Sequence, residues 1–219
     1  NDNKKITFTV VEPNGLFLKR ETSLQIGIPQ SFLDKKINII SQTNRGTTYF
    51  GSSDSILRVH NVDASCLNAK GGVKLQYAQI SGDLNIKNVL GRIDVQNEIK
   101  GTVTIDSTMG TYTFGKIKDL VVVAGEGNKN NNPAIILDEC NNITWNSESG
   151  SLKVKGFVLG VIKVETKNAN FDIANLVGHT LIEGDDTNVH IGQVGNFAED
   201  PTTRYNSYNW KLFTDVVSP

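Results

Sequence analysis

An all-β chain coiled as a β-solenoid is what this sequence predicts, and three observations carry the prediction. The first is composition: among 219 residues there are 20 Val, 20 Ile and 18 Thr, against 8 Ala, 9 Glu and 1 Met. β-branched side chains favour strands, and the strong helix formers are scarce. The second is turn chemistry, with 20 Gly and 24 Asn, both suited to tight turns and positive φ. The third is an internal repeat of nine or ten residues with the template Gly-x-φ-x-φ, where φ is apolar.

The clearest copies are Gly82-Asp-Leu84-Asn-Ile86, Gly91-Arg-Ile93-Asp-Val95, Gly101-Thr-Val103-Thr-Ile105 and Gly110-Thr-Tyr112-Thr-Phe114. Further copies start at Asp119 (Val121, Val123), Pro133 (Ile135, Leu137), Asn141 (Ile143, Trp145), Gly150 (Leu152, Val154) and Gly160 (Ile162, Val164). Weaker ones start at Ala169, Gly178 and Thr187, and less regular ones upstream at Gly46, Ser55 and Gly71. Each copy reads as a strand of about five residues with two side chains turned inward. An antiparallel sandwich also spaces short strands at such intervals. The near-constant step, one apolar face and the lack of Asn-Gly hairpin signals between 141 and 187 favour a coil whose strands stack rung on rung. The sequence leaves open whether a rung holds two strands or three.

These marks divide the chain into N-terminal strands or cap (1–45), solenoid repeats (46–195, with an insertion loop at 124–133) and an aromatic C-terminal cap (196–219). Residues 120–123 and 134–137 are apolar at outward positions too, as strands covered on both faces are. They are therefore a candidate homodimer face. The tail carries Tyr205, Tyr208, Trp210 and Phe213 without repeat. It is expected to fold back as a cap, while Tyr205, Tyr208 and Trp210 are the candidate binding residues if the aromatic surface is exposed.

Tandem segments such as Ile80-Ser81-Gly82-Asp83-Leu84-Asn-Ile86-Lys-Asn-Val89-Leu-Gly91-Arg-Ile93-Asp-Val95 resemble the bacterial adhesin-like family of unknown function often called DUF4097. Ser23-Leu-Gln-Ile-Gly-Ile28-Pro29, followed by Ile37-Asn-Ile39-Ile-Ser-Gln-Thr-Asn44-Arg-Gly46, is similar to that family's opening strands. The resemblance spans roughly residues 20–195. It implies a bacterial β-solenoid displayed outside the cytoplasmic membrane, at the cell surface or in the periplasm, that binds a protein or glycan partner. No catalytic residues come with it.

Chemistry is hard to find. Cys66 and Cys140 stand without any CxxC or Cys-His spacing, and only 3 His exist, so no metal site is expected. Two buried free thiols are favoured, and a disulfide stays open. Glu183, Asp185 and Asp186 read as a solvated turn, while Asp83 and Asp94 are an outward carboxylate pair. His60 stands apart, and His179 and His190 fall on adjacent copies. Thr102, Thr104, Thr111 and Thr113 form a threonine-rich patch whose alternative reading is ice or sugar binding. Asn142-Ile-Thr144 matches a glycosylation acceptor. No elbow, phosphate loop or cofactor motif occurs, so a non-enzyme without cofactor is expected. The formal net charge is −1, unlike a dedicated nucleic-acid binder. No apolar run approaches 20 residues, and the chain opens on Asn1 rather than methionine. A membrane link is expected only through a segment outside this chain. Two other functions fit the same repeat: a self-assembling envelope scaffold and a carbohydrate-active β-helix enzyme.

Overall fold

The computed structural model describes residues 37–41, 46–51, 56–66, 71–75, 77–124, 132–184, 187–194 and 213–215. Among them there is no helix, and the strands run parallel to their neighbours in a β-solenoid. The strands are β1 (Ile37–Ser41), β2 (Gly46–Tyr49), β3 (Leu57–Val59), β4 (Val62–Cys66), β5 (Gly71–Lys74), β6 (Ala78–Ile80), β7 (Leu84–Val89), β8 (Arg92–Val95) and β9 (Ile99–Asp106). They continue as β10 (Thr111–Ala124), β11 (Ala134–Glu139), β12 (Asn142–Ser147), β13 (Ser149–Val158), β14 (Val161–Thr166), β15 (Asn168–Leu176), β16 (His179–Gly184), β17 (Asn188–Val194) and β18 (Phe213–Asp215).

Successive copies of the repeat go to different walls of the coil. Strands β1, β4, β7, β9, the end of β10, β12, β14, β16 and β18 stack as a first sheet. Strands β2, β5, β8, the start of β10, β11, β13, β15 and β17 stack as a second. Leu84 therefore pairs with Val103, 19 residues on, and Leu152 with Phe171, rather than with the neighbouring copy. A short third side closes each rung, seen in the pairs Ile80–Ile99, Ile99–Ile117, Cys140–Val158, Val158–Leu176 and Leu176–Val194. A rung thus holds two main strands and one brief one.

Inward side chains align in columns because the register is parallel and the side-chain period is two. On the first sheet, Val62, Leu84, Val103, Leu120, Ile143 and Ile162 form one column, and Ala64, Ile86, Ile105, Val122, Trp145 and Val164 the next. All twelve are buried. The copy at Asp119 departs from the expected register: Leu120 and Val122 point inward, whereas Val123 is 48% exposed. A register irregularity between Ile117 and Asp119 shifts the strand by one residue. The two apolar strands expected to share a face also separate, residues 119–124 lying in the first sheet and 134–137 in the second.

Both cysteines are buried thiols outside any disulfide. Cys140 occupies the third side's inward column beside Val158, where other rungs use aliphatic side chains. Burial pushes its thiol up to about 12, helped by the nearby Asp119 charge. Burial likewise raises the Tyr112 phenol to about 12, opposed by a hydrogen bond with Ser107. The Tyr112 hydroxyl donates to the Met109 carbonyl at 2.5 Å. Raised folded-state values stabilise fully below the unfolded ones and lose that contribution as pH climbs toward the folded ones. Stability should therefore fall from about pH 9 toward 12. In Cys140→Ala, urea unfolding at pH 7 should lose about 1 kcal/mol while the slope between pH 9 and 11 flattens. An unchanged slope would reject Cys140 as a contributor.

Stacked corners use many of the Gly and Asn among the described residues. Of the copy-initiating glycines, only Gly110 and Gly150 take positive φ. Gly82, Gly101, Gly160 and Gly178 are needed for close approach: a Cβ on Gly178 would overlap the Gly160 carbonyl one rung below. Gly178→Ala should cost about 1–3 kcal/mol. Gly72→Ala, whose new Cβ would meet nothing nearer than 3.4 Å, should stay within about 0.5 kcal/mol. Equal melting shifts in the two variants would reject the stacked-corner explanation.

Side-chain amides and carboxylates at the same corner join rungs. Asn61 Oδ1 accepts from the Asp83 N–H and Asp83 Oδ1 from the Thr102 N–H, both at 2.8 Å. Asn142 Nδ2 donates to Asp119 Oδ1 at 2.7 Å, and Asn142 Oδ1 accepts from the Val161 N–H at 2.8 Å. Elsewhere Asn97 and Asn175 donate to the carbonyls of Ala78 and Gly156. Those made to N–H or carbonyl groups satisfy backbone atoms that a corner would otherwise leave unpaired. The glycosylation-acceptor Asn142 is thus engaged through both side-chain atoms.

Candidate ligand-binding face

The second sheet's outward face carries a register column with ionisable side chains at both ends and Thr113 and Ile136 between them. Lys74, Asp94, Thr113, Ile136, Lys153, Asp172 and His190 occupy one register column across β5, β8, β10, β11, β13, β15 and β17. Within a column, side chains on adjacent rungs face each other at the strand spacing of about 4.8 Å, so opposite charges pair. Lys153 Nζ lies 2.7 Å from Asp172 Oδ2, and His190 Nδ1 lies 3.1 Å from Asp172 Oδ1. The hydrogen bond from Lys153, then that with His190, holds the Asp172 carboxyl below the usual carboxylate range, so it stays ionised at neutral pH. At the other end Lys74 Nζ sits 3.7 Å from Asp94 and 5.9 Å from the ring centre of exposed Tyr49.

Beside the Lys153–Asp172–His190 row lies an open depression lined by Lys153, Lys155, Asp172, Asn175, His190 and Gln193, with Ala174 and Gly192 among the lining. Its cause is local. Between Val154–Ile173 and Phe157–Asn175 the register shifts, so Lys155 and Gly156 oppose the single residue Ala174. Such a bulge adds an unpaired residue and re-aims its side chain. Lys155 Nζ then reaches Asp138 on the rung below at 3.4 Å. Small Ala174 and Gly192 leave room between the longer side chains.

The expected sites fare differently. Tyr205, Tyr208 and Trp210 lie outside the described residues, as do Asp185 and Asp186. Glu183 is exposed on β16. Asp83 and Asp94 do not form a pair: Asp83 belongs to a corner of the first sheet, and Asp94 sits on the second. Asp94 is 8% exposed, with Oδ1 buried and without a hydrogen-bond partner. His179 and His190 are likewise separated, on β16 of the first sheet and β17 of the second. The threonine patch splits, Thr102 and Thr104 on the first sheet and Thr111 and Thr113 on the second. All three separations have one reason, the alternation of successive copies between walls. His60 stays apart, its Nδ1 3.1 Å from Ser81 Oγ.

The Lys153–Asp172–His190 row was not anticipated. Its members hold the same place in the copies at Gly150, Ala169 and Thr187, so reading every second copy exposes it. Among the described residues no three His, Cys, Asp or Glu side chains gather as metal ligands, and no helix is long and apolar enough to cross a membrane. Comparison with family models, curated proteins and solved structures gives no match to this chain.

Proposed function

We propose that the chain is a non-catalytic binding module that uses a flat outer wall of the solenoid to hold a protein or glycan partner. In this reading it is an adhesin-like protein of the bacterial cell surface or periplasm, in line with the sequence resemblance. The observation that carries the reading is the second sheet's outer wall. There an ordered row of polar side chains borders an open depression, in a scaffold whose rungs fix their spacing. Rigid presentation of polar groups lowers the ordering cost of binding. The test is an array of glycans and matrix proteins probed with the purified chain at low and high salt. A saturable hit at low salt supports the reading, and its loss at high salt marks a partner held by charge. A blank array from a monodisperse monomer rejects it.

A second reading, end-to-end assembly into an envelope scaffold, draws on one observation. Val194 continues the inward column of buried Val158 and Leu176, yet is 47% exposed. An incompletely covered core end favours addition of further rungs. Light scattering that grows with protein concentration would support assembly, and a constant monomer mass would reject it. A dimer through 120–137 would engage Val121 and Val123 or Ile136, but not both sets on one flat wall, since they lie on different sheets.

A further inference from the structure

We infer that the depression beside Lys153 and Lys155 takes an acidic glycan, a sugar chain bearing carboxylate or sulfate groups. The inference rests on the binding-module reading and names its ligand class. Charge is the first ground: the lining holds two lysines against the single carboxylate of Asp172, on a chain whose net charge is −1. The counter-charge of Lys155, Asp138, lies outside the lining, so the depression itself presents more lysines than carboxylates and favours an anionic partner.

Geometry is the second ground. Asp172 is engaged on both oxygens, by Lys153 and His190, which holds the row in place. Lys155, displaced by the bulge, has only the longer 3.4 Å contact to Asp138 and can turn toward a ligand anion. Two ammonium groups on one strand then flank the floor at Ala174 and Gly192. The third ground is the remaining lining: Asn175 and Gln193 supply amides for hydroxyl groups. The depression is open, so a polymer can cross it. No deep apolar pocket exists there to hold an anchoring side chain, which favours a sugar chain over a peptide.

The test is isothermal titration of the full chain with dextran sulfate, polygalacturonate and uncharged dextran at about physiological ionic strength. The protein should bind at least one of the two polyanions saturably and not bind dextran. Dextran sulfate and polygalacturonate distinguish a sulfate from a carboxylate preference. Lys153→Gln/Lys155→Gln should weaken binding at least about tenfold, whereas Lys118→Gln/Lys163→Gln, away from the depression, should change it less than about twofold. Circular dichroism melts confirm that both doubles fold. Equal losses in the two doubles, or no polyanion binding at all, would overturn the inference. An array hit on a neutral glycan or a protein that ignores Lys153 and Lys155 would overturn it while leaving the binding-module reading standing.

Discussion

Val103→Asp should abolish the folded state at room temperature, while Thr102→Asp on the same strand should leave a cooperative melt. Val103 is fully buried between Leu84 and Leu120 in the first sheet's inward column. A carboxylate there has no partner and no water, and must either ionise in an apolar column or fold only when protonated. The expected loss exceeds about 4 kcal/mol, comparable to a domain's whole stability. Thr102 points outward, beside Asp83 and Asp119 in the corner column. A third carboxylate there repels its neighbours in high dielectric, which costs about 1 kcal/mol or less. Thermal melts of the two variants check the contrast, and equal destabilisation would reject the inward and outward assignment.

The second large effect is expected at Trp145, the largest side chain of the core. Its ring meets Phe171 edge-on at 5.2 Å across the coil interior, joining the two sheets. Gly150 makes room for it: a Cβ there would fall 2.5 Å from Trp145 Cζ2, on a backbone already at φ 146°. Truncation to alanine leaves a cavity that stacked strands cannot close, because each rung's spacing is fixed by its neighbours. Trp145→Ala should therefore cost about 3–5 kcal/mol. One term opposes this, since the indole N–H is buried without a hydrogen-bond partner. Trp145→Phe removes that donor while keeping most of the ring, so it should cost less than about 1.5 kcal/mol. Chemical denaturation separates the two, and a phenylalanine variant as unstable as the alanine one would contradict this packing account.

Strand positions were legible where alternation was clean. Leu84 and Ile86, Ile93 and Val95, or Leu152 and Val154, are each separated by a polar residue, and a period of two admits only one inward set. At Leu120 through Val123 four apolar residues run together, so either register satisfies the pattern, and the tertiary stack decides for Leu120 and Val122. The third side escaped for a different reason. From Ile99 onward it contributes a single inward residue per rung, such as Ile99, Ile117 or Cys140, within a stretch that otherwise reads as turn. Glycine spacing also hid the assignment of copies to walls, because corners of both kinds need close approach.

That hidden alternation explains what the sequence showed of the site. Outward residues of consecutive copies look like neighbours on paper, so His179 with His190, Thr104 with Thr111, and Asp83 with Asp94 suggest clusters. The coil instead places Lys153, Asp172 and His190 together, about 19 residues apart in sequence. The lesson for such chains is that the repeat unit and the rung differ, and only the rung brings side chains together.

Paired cysteines separate stacking of every second copy from pairing of neighbouring copies. Thr144 and Lys163 are exposed register partners on β12 and β14 of the first sheet. Lys153 lies on the intervening copy, in the second sheet. Thr144→Cys/Lys163→Cys should form an intramolecular disulfide on mild oxidation, since parallel partners about 4.8 Å apart fall within disulfide reach. Thr144→Cys/Lys153→Cys should stay reduced under the same conditions. Crosslinking of the second pair but not the first would place neighbouring copies side by side, as in an antiparallel sandwich, and would contradict the solenoid.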